Sequence, residues 1–299
     1  MEECKMKKLL AAVLTAALTV GMLVGCGGSD SGDGGASKSG ESSAKTAKVI
    51  DVDLTNEEYA FGVDKSQPEL LEQVNAFIAK IQEDGTLDEI FDKYFGGGEP
   101  TPVESAALDE SKDQLVVATN AAFEPFEYME GENYVGIDME IAALLAEELG
   151  QELVIQNMDF DAVCLSVGQQ KCDIAMAGLT VSEDRKEYVT FSESYYQASQ
   201  RLIVPSDDTT FDDMTDAETI AAALGELDSS VLIGVQQGTT GNSYVEGSDD
   251  LGFPGLNATC KTYKNGSLAV QDMLNGNINY VIIDAAPAAA ITESINEMQ

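Results

Sequence analysis

Between residues 48 and 299 the chain twice alternates short apolar runs of strand type with longer stretches of helical periodicity. That alternation limits it to an α/β architecture. Residues 115–118 read as a strand. Residues 137–149 read as a helix, with Ile141, Leu144, Leu145 and Leu149 on one stripe. A strand at 153–155, a helix at 161–167 and a strand at 173–177 complete the first series. The second series has strands at 201–204, 231–235 and 280–283, with a helix at 266–275. Two series predict two lobes, each around a largely parallel sheet.

A third piece precedes both. Val49, Ile50 and Val52, then residues 59–63, read as short strands. Pro68 opens a helix, as a first-turn proline does. Leu70, Leu71, Val74, Phe77, Ile78 and Ile81 form its apolar stripe, Gly85 stops it, and Leu87, Ile90, Phe91, Tyr94 and Phe95 mark a second helix. With under 50 residues and two apolar faces, this piece cannot bury itself alone. Residues 96–113, beginning Gly-Gly-Gly-Glu-Pro-Thr-Pro, are a linker by composition.

Charge and composition narrow the function. Sixteen Lys and Arg stand against 53 Asp and Glu, for a net charge of −37. Such a field repels nucleic acid, which is excluded as a partner. Histidine is absent, which removes Ser-His-Asp and Cys-His nucleophiles and the commonest zinc ligand. The sequence implies neither a metal nor a cofactor.

The start of the chain reads as an export leader. Lys5, Lys7 and Lys8 precede an apolar run over residues 9–24, followed by Leu23-Val24-Gly25-Cys26. This resembles a bacterial lipobox. It implies a signal peptide over residues 1–25, lipidation of Cys26, and a location on the extracytoplasmic face of the cell membrane. Residues 26–47, rich in Gly, Ser and Asp, suit a flexible tether. Cys164, Cys172 and Cys260 remain, an odd number that sets no disulfide framework. The first two read as small core residues.

Four stretches together resemble the extracellular solute-binding proteins, family 3, of polar amino-acid ABC importers, the glutamine-binding type especially. The first runs from Leu115 through Asn120, Phe123, Pro125 and Phe126 to Tyr128, with Tyr134, Gly136 and Asp138 behind it. The second is Met158-Asp159-Phe160. The third runs from Asp173 through Ala177-Gly178-Leu179-Thr180 to Arg185, then Phe191-Ser192 and Tyr195-Tyr196. The fourth is 235–241, Val-Gln-Gln-Gly-Thr-Thr-Gly, with Asp284 near the end.

The resemblance implies a periplasmic-binding-protein-like (type II) α/β fold, two lobes joined by two crossing strands and closing on a free amino acid. Arg185 has the planar fork that suits a carboxylate. The turn before Thr240 supplies further anion donors. Asp284 answers the ammonium, helped by Gly178 and Thr180. Phe123 and Phe160 sandwich the aliphatic part. Asn120 and Gln236 match positions that read the ligand side chain. Both are neutral, so the expected ligand is a neutral polar amino acid, glutamine-like or cystine-like. The implied partners are an ABC permease and its ATPase.

The order of the chain departs from that family. Residues 48–95 resemble its C-terminal end yet come first, and joining Gln299 to Lys48 restores the usual order. A circular permutation is inferred: residues 48–56 as the last strand of lobe 2 and its crossing, 57–95 and 114–199 as lobe 1, 200–299 as lobe 2. The 18-residue linker reaches up to about 60 Å when extended, enough to close the fold within one chain. A monomer is expected. Insertion of residues 48–95 into a neighbouring chain would instead give a swapped dimer. Two other functions fit the same pattern. One is a ligand-sensing module for a separate receptor. The other is an enzyme resembling cyclohexadienyl dehydratase, for which Glu127 and Asp138 are the available acids. Asp138 reads as a support for its turn, and Glu127 as facing water.

Overall fold

The computed structural model describes residues 45–299. The leader, Cys26 and residues 27–44 lie outside the described residues. In chain order, β1 (Ala47–Val49) precedes β2 (Glu57–Tyr59) and β3 (Gly62–Asp64). Helices α1 (Pro68–Glu83) and α2 (Thr86–Phe95) follow, then β4 (Gln114–Thr119) and the hairpin β5 (Tyr128–Glu130) and β6 (Asn133–Val135). Next come α3 (Ile137–Leu149), β7 (Glu152–Asn157), α4 (Phe160–Gly168), β8 (Ile174–Ala175), α5 (Glu183–Lys186), β9 (Val189–Phe191) and β10 (Tyr196–Ala198). The remainder is β11 (Gln200–Pro205), α6 (Ala217–Gly225), β12 (Leu232–Gln236), α7 (Thr240–Glu246), β13 (Thr259–Tyr263), α8 (Gly266–Leu274), β14 (Tyr280–Asp284) and α9 (Ala285–Glu297).

Two five-stranded sheets organise these elements into two α/β lobes. Lobe 1 has the order β7-β4-β8-β3-β9 and lobe 2 the order β1-β11-β14-β12-β13. Both sheets are mixed rather than largely parallel. In lobe 1, β4 runs parallel to β7 and β8, while β3 is antiparallel to β8 and β9. In lobe 2, β12 is parallel to β13 and β14, while β11 is antiparallel to β14 and β1. The strands that run against their neighbours, β3 and β11, are those that directly follow a crossing from one lobe to the other. The crossing itself is the ribbon β2–β10, which pairs Glu57 with Ala198 and Tyr59 with Tyr196.

The apolar pattern explains the layers. Strand β4 is a continuous apolar run, as a strand covered on both faces should be. Leu115 and Val117 face a core with Ile137, Ile141 and Leu145 of α3. Val116 and Ala118 face the other way, against Val163 and Val167 of α4. Helix α1 buries Leu70, Val74, Phe77, Ile78 and Ile81, the stripe read from the sequence, into the first of these cores. Lobe 2 has a separate core around Leu202, Val204, Phe211, Ile220 and Ile233. Among the described residues, Cys164 and Cys172 are buried and, like Cys260, form no disulfide. The linker of residues 96–113 is pinned along lobe 1, where Val103 N–H donates to the Tyr134 carbonyl and Ala106 N–H to the Leu153 carbonyl. No helix among the described residues is long and apolar enough to cross a membrane.

The two ends of the described chain meet in lobe 2. Ala47 N–H donates to Asn296 Oδ1 at 2.9 Å, and Asn296 Nδ2 donates back to the Ala47 carbonyl at 2.8 Å. Asn296 lies in the last turn of α9 and Ala47 opens β1.

Candidate functional site

Strand ends and helix starts from both lobes converge on one small cavity. Phe123, Phe160, Gly178, Thr180 and Arg185 line it from lobe 1, and Gln236, Thr239, Thr240 and Asp284 from lobe 2. Eight of the nine ligand residues expected from the sequence are therefore together. The ninth, Asn120, is adjacent and accepts a hydrogen bond from Gln236 Nε2 at 2.9 Å. Thr239 was not singled out by the sequence. The lobes are closed: the cavity measures about 10 Å³, at the lower limit for a single water.

Arg185 stands on α5, whose N-cap Ser182 accepts from the Arg185 N–H. Its guanidinium donates to the Thr180 carbonyl at 2.6 Å and, across the cleft, to the Gly238 carbonyl at 3.3 Å. It lies 5.3 Å from the centre of the Phe160 ring, within cation–π range. Its acidic sequence neighbours do not claim it. Lys186 pairs with Glu183, and Arg185 makes no ion pair among the described residues. A guanidinium held only by carbonyls keeps its full demand for an anion.

Lobe 2 brings an acidic side chain, Asp284, to the same cavity. Asp284 ends β14 at the N-cap position of α9 but makes no capping bond. It accepts instead from Tyr59 Oη of the crossing ribbon at 2.5 Å. Burial, then the charge of Glu57, pushes its carboxyl up to about 7, while hydrogen bonds from Tyr59 and Gln200 pull it down. Glu57 is itself buried and accepts the Thr180 hydroxyl at 2.7 Å. Thr180 in turn accepts the Thr240 hydroxyl from the other lobe at 3.0 Å.

The floor is set by a glycine and an acid. Gly178 has φ of +54°, and a Cβ there would fall 2.9 Å from the Phe123 ring. Only glycine gives this backbone and lets the ring close over it. Asp138 holds the turn by accepting the Gly178 N–H at 2.9 Å and the Tyr195 hydroxyl at 2.6 Å. Burial raises its carboxyl to about 7 against the pull of those bonds. Asp138 thus holds the turn at Gly178, 40 residues on, rather than its own.

Glu127 differs from expectation. It is fully buried, with neither carboxylate oxygen partnered, and is not among the residues lining the cavity. The cause is the preceding turn. Phe126 N–H donates to the Phe123 carbonyl and Phe123 N–H to the Glu127 carbonyl, which turns the chain inward at residue 127. Burial, then Asp138 and Asp284, pushes its carboxyl well above the usual range. Neither acid available to a catalytic alternative, Glu127 or Asp138, lines the cavity.

Further bonds cross the cleft around its rim. Gln237 Nε2 donates to Asp161 at 2.8 Å, and Lys264 lies 3.4 Å from Asp159. Asp250 of lobe 2 accepts the N–H groups of Glu183 and Asp184 at the start of α5, at 2.8 and 3.3 Å. Sequence reasoning missed Glu57, Tyr59 and Asp250. For the first two there was a signal. Positions two apart in a strand share a face, so Glu57 follows the buried Tyr59 inward, in a buried-exposed-buried pattern.

Known proteins share this arrangement of elements. An ancestral amino-acid-binding protein, described as a precursor of cyclohexadienyl dehydratase, is 27% identical with a TM-score of 0.51, covering 71% of this chain and 78% of that one. Holo ArgBP from T. maritima is 30% identical with a TM-score of 0.50, covering 64% and 78%. The arginine-binding extracellular protein ArtP of Bacillus subtilis is 35% identical over 125 residues, 41% of this chain and 49% of that protein. The arginine-binding periplasmic protein of Mannheimia haemolytica is 27% identical over 172 residues, 57% and 63% respectively. The chain thus spans about half to two-thirds of the length of these two curated relatives. The sequence model of the bacterial extracellular solute-binding proteins, family 3, matches residues 11–97 and 115–286, so the chain belongs to that family.

Proposed function

We propose that this protein captures a free amino acid by closing its two lobes and delivers it to an ABC permease and its ATPase, held to the membrane by a lipid on Cys26. One observation carries the reading. The guanidinium of Arg185, which makes no ion pair among the described residues, and the buried carboxylate of Asp284 line one interlobe cavity from opposite lobes, with buried Glu57 behind Thr180. A zwitterion satisfies both charges at once and bridges the lobes, so it favours closure. The solved and curated relatives above are named for amino acids, arginine among them.

We further propose a neutral side chain for this ligand. The amides of Asn120 and Gln236 meet beside the cavity, and Gln236 Oε1 is buried without a partner among the described residues. That acceptor suits an N–H donor such as the glutamine amide. A thermal-shift screen of the twenty amino acids and cystine tests both statements. Ligand at about 100 times Kd stabilises by about 2.7 kcal/mol. The shift is expected to be largest for glutamine and larger at pH 8 than at pH 5. At pH 5 Asp284, raised to about 7, is protonated and must release that proton to meet an ammonium. A much larger shift with arginine or histidine would overturn the neutral reading; no shift with any would overturn the amino-acid reading.

We also propose that the chain order is a circular permutation. The reciprocal bonds between Ala47 and Asn296 put the two ends side by side, the condition under which ends can be relocated. A variant with Gln299 joined to Lys45 and the chain opened within residues 96–113 is expected to fold as a monomer and bind the same amino acid. Failure to fold, or a dimer, would refute this.

A further inference from the structure

Glu57 lies at the centre of a hydrogen-bond chain that links the cavity to the strands joining the lobes. One carboxylate oxygen accepts the Thr180 hydroxyl at 2.7 Å, and the other accepts the Thr55 hydroxyl at 2.5 Å and the Gln200 amide at 3.1 Å. Its residue is 6% exposed, and it makes no ion pair among the described residues. A charge in that setting is costly unless a cation comes to it. The neighbouring groups are Asp284, itself acidic, and Tyr59, whose hydroxyl is given to Asp284.

The direction of the Thr180 bond matters. A threonine hydroxyl has one proton and two lone pairs. With its proton on Glu57, Thr180 offers only lone pairs to the cleft. In the closed structure those lone pairs accept the Thr240 hydroxyl. The same orientation suits an ammonium N–H, which needs acceptors. A hydroxyl turned the other way would set a donor against it.

We propose that Glu57 is a positioning residue for the ammonium end of the site: it fixes the Thr180 hydroxyl as an acceptor and so sets the preference for an α-amino over an α-hydroxy group. The proposal rests on the amino-acid reading above. Gln200 ties the same carboxylate to β11, just beyond the crossing ribbon, and Glu57 itself belongs to β2. The acceptor is therefore held by the strands that join the lobes.

The test is calorimetry on the full chain with L-glutamine, L-arginine and L-histidine, each against its 2-hydroxy acid. The unaltered protein is expected to prefer the amino acid by about 100-fold or more, as charge-assisted hydrogen bonds over neutral ones allow. Glu57→Leu removes the acceptor and is expected to lower that preference at least tenfold. Glu57→Gln keeps an acceptor for Thr180 if the Gln200 amide turns over, and is expected to recover part of the loss. Equal weakening of amino and hydroxy acids by Glu57→Leu would mean a merely structural role and overturn the proposal. If Glu57→Leu does not fold, Thr180→Val carries the same comparison, with the same tenfold loss of preference expected and an unchanged preference overturning it. If the unaltered protein binds none of these three, the best amino acid from the screen above is compared with its 2-hydroxy acid instead; if no amino acid in that screen binds, the amino-acid reading falls and this proposal with it. If it binds with a preference that Glu57→Leu leaves intact, this proposal falls alone.

Discussion

Replacing Arg185 by alanine is expected to weaken amino-acid binding by at least about 100-fold, with little change in the melting temperature of the ligand-free protein. The two halves of this expectation have different origins. A guanidinium meets a carboxylate through paired, charge-assisted hydrogen bonds, and removing one partner of a desolvated charge pair costs roughly 2–5 kcal/mol. A hundredfold change in Kd is about 2.7 kcal/mol. The ligand-free fold loses much less. Among the described residues the Arg185 guanidinium is bonded only to the carbonyls of Thr180 and Gly238 and rests on the Phe160 ring. The Gly238 bond also joins the lobes, so alanine removes one clasp of the closed form as well as an anion donor. Lysine at this position keeps the charge and loses the planar fork. It is expected to recover only part of the affinity. Calorimetry with the best amino acid from the screen decides the matter. Unchanged affinity in Arg185→Ala would remove the guanidinium from the site and with it the proposed binding mode.

Local pattern made much of this protein readable. Helix α3 begins and ends where its stripe does, between Gly136 and Gly150. The residues around Arg185 and Asp284 were readable because their short motifs keep the order of a known family. Elements without periodicity were not. The hairpin β5–β6 has three residues per strand, too few for alternation to show. Helix α9 has Pro287 in its first turn and a run of alanines. Asp284 sits at the N-cap position of that helix, but its side chain makes no capping bond and accepts from Tyr59 instead. The hardest residues were those whose state is set at long range. Glu57 is buried by Thr180 and Gln200, 123 and 143 positions away. Glu127 looks like a surface acid until the Phe123–Phe126 turn folds it under. A charged residue carries at most a weak local mark of burial, such as the strand face that Glu57 shares with Tyr59, because what buries it is brought by the rest of the chain.

Gly136→Ala is expected to be the most damaging small substitution in lobe 1, costing about 3–5 kcal/mol from left-handed strain and overpacking together. Gly136 has φ of +123°, and a Cβ there would lie 2.2 Å from the Phe126 carbonyl oxygen and 2.9 Å from the Glu127 nitrogen. Those atoms are backbone and cannot swing aside as a side chain would. They are also in use. The Phe126 carbonyl accepts the Asp138 N–H and the Pro125 carbonyl accepts the Ile137 N–H, so the turn satisfies the first free donors of α3. To admit a methyl group the turn must lift from the helix. Phe123 then moves over the cleft, and Asp138 loses its grip on the Gly178 turn. Gly150→Ala separates strain from collision. Gly150 also has a positive φ, +71°, but nothing lies within 4 Å of its Cβ position. It is expected to cost about 1–2 kcal/mol, the left-handed term alone, and to leave affinity unchanged. Urea midpoints and amino-acid affinities of the two variants test the contrast. If Gly136→Ala is no less stable than Gly150→Ala and binds as well, the turn yields freely. Phe123 would then not depend on the start of α3 for its place over the cleft.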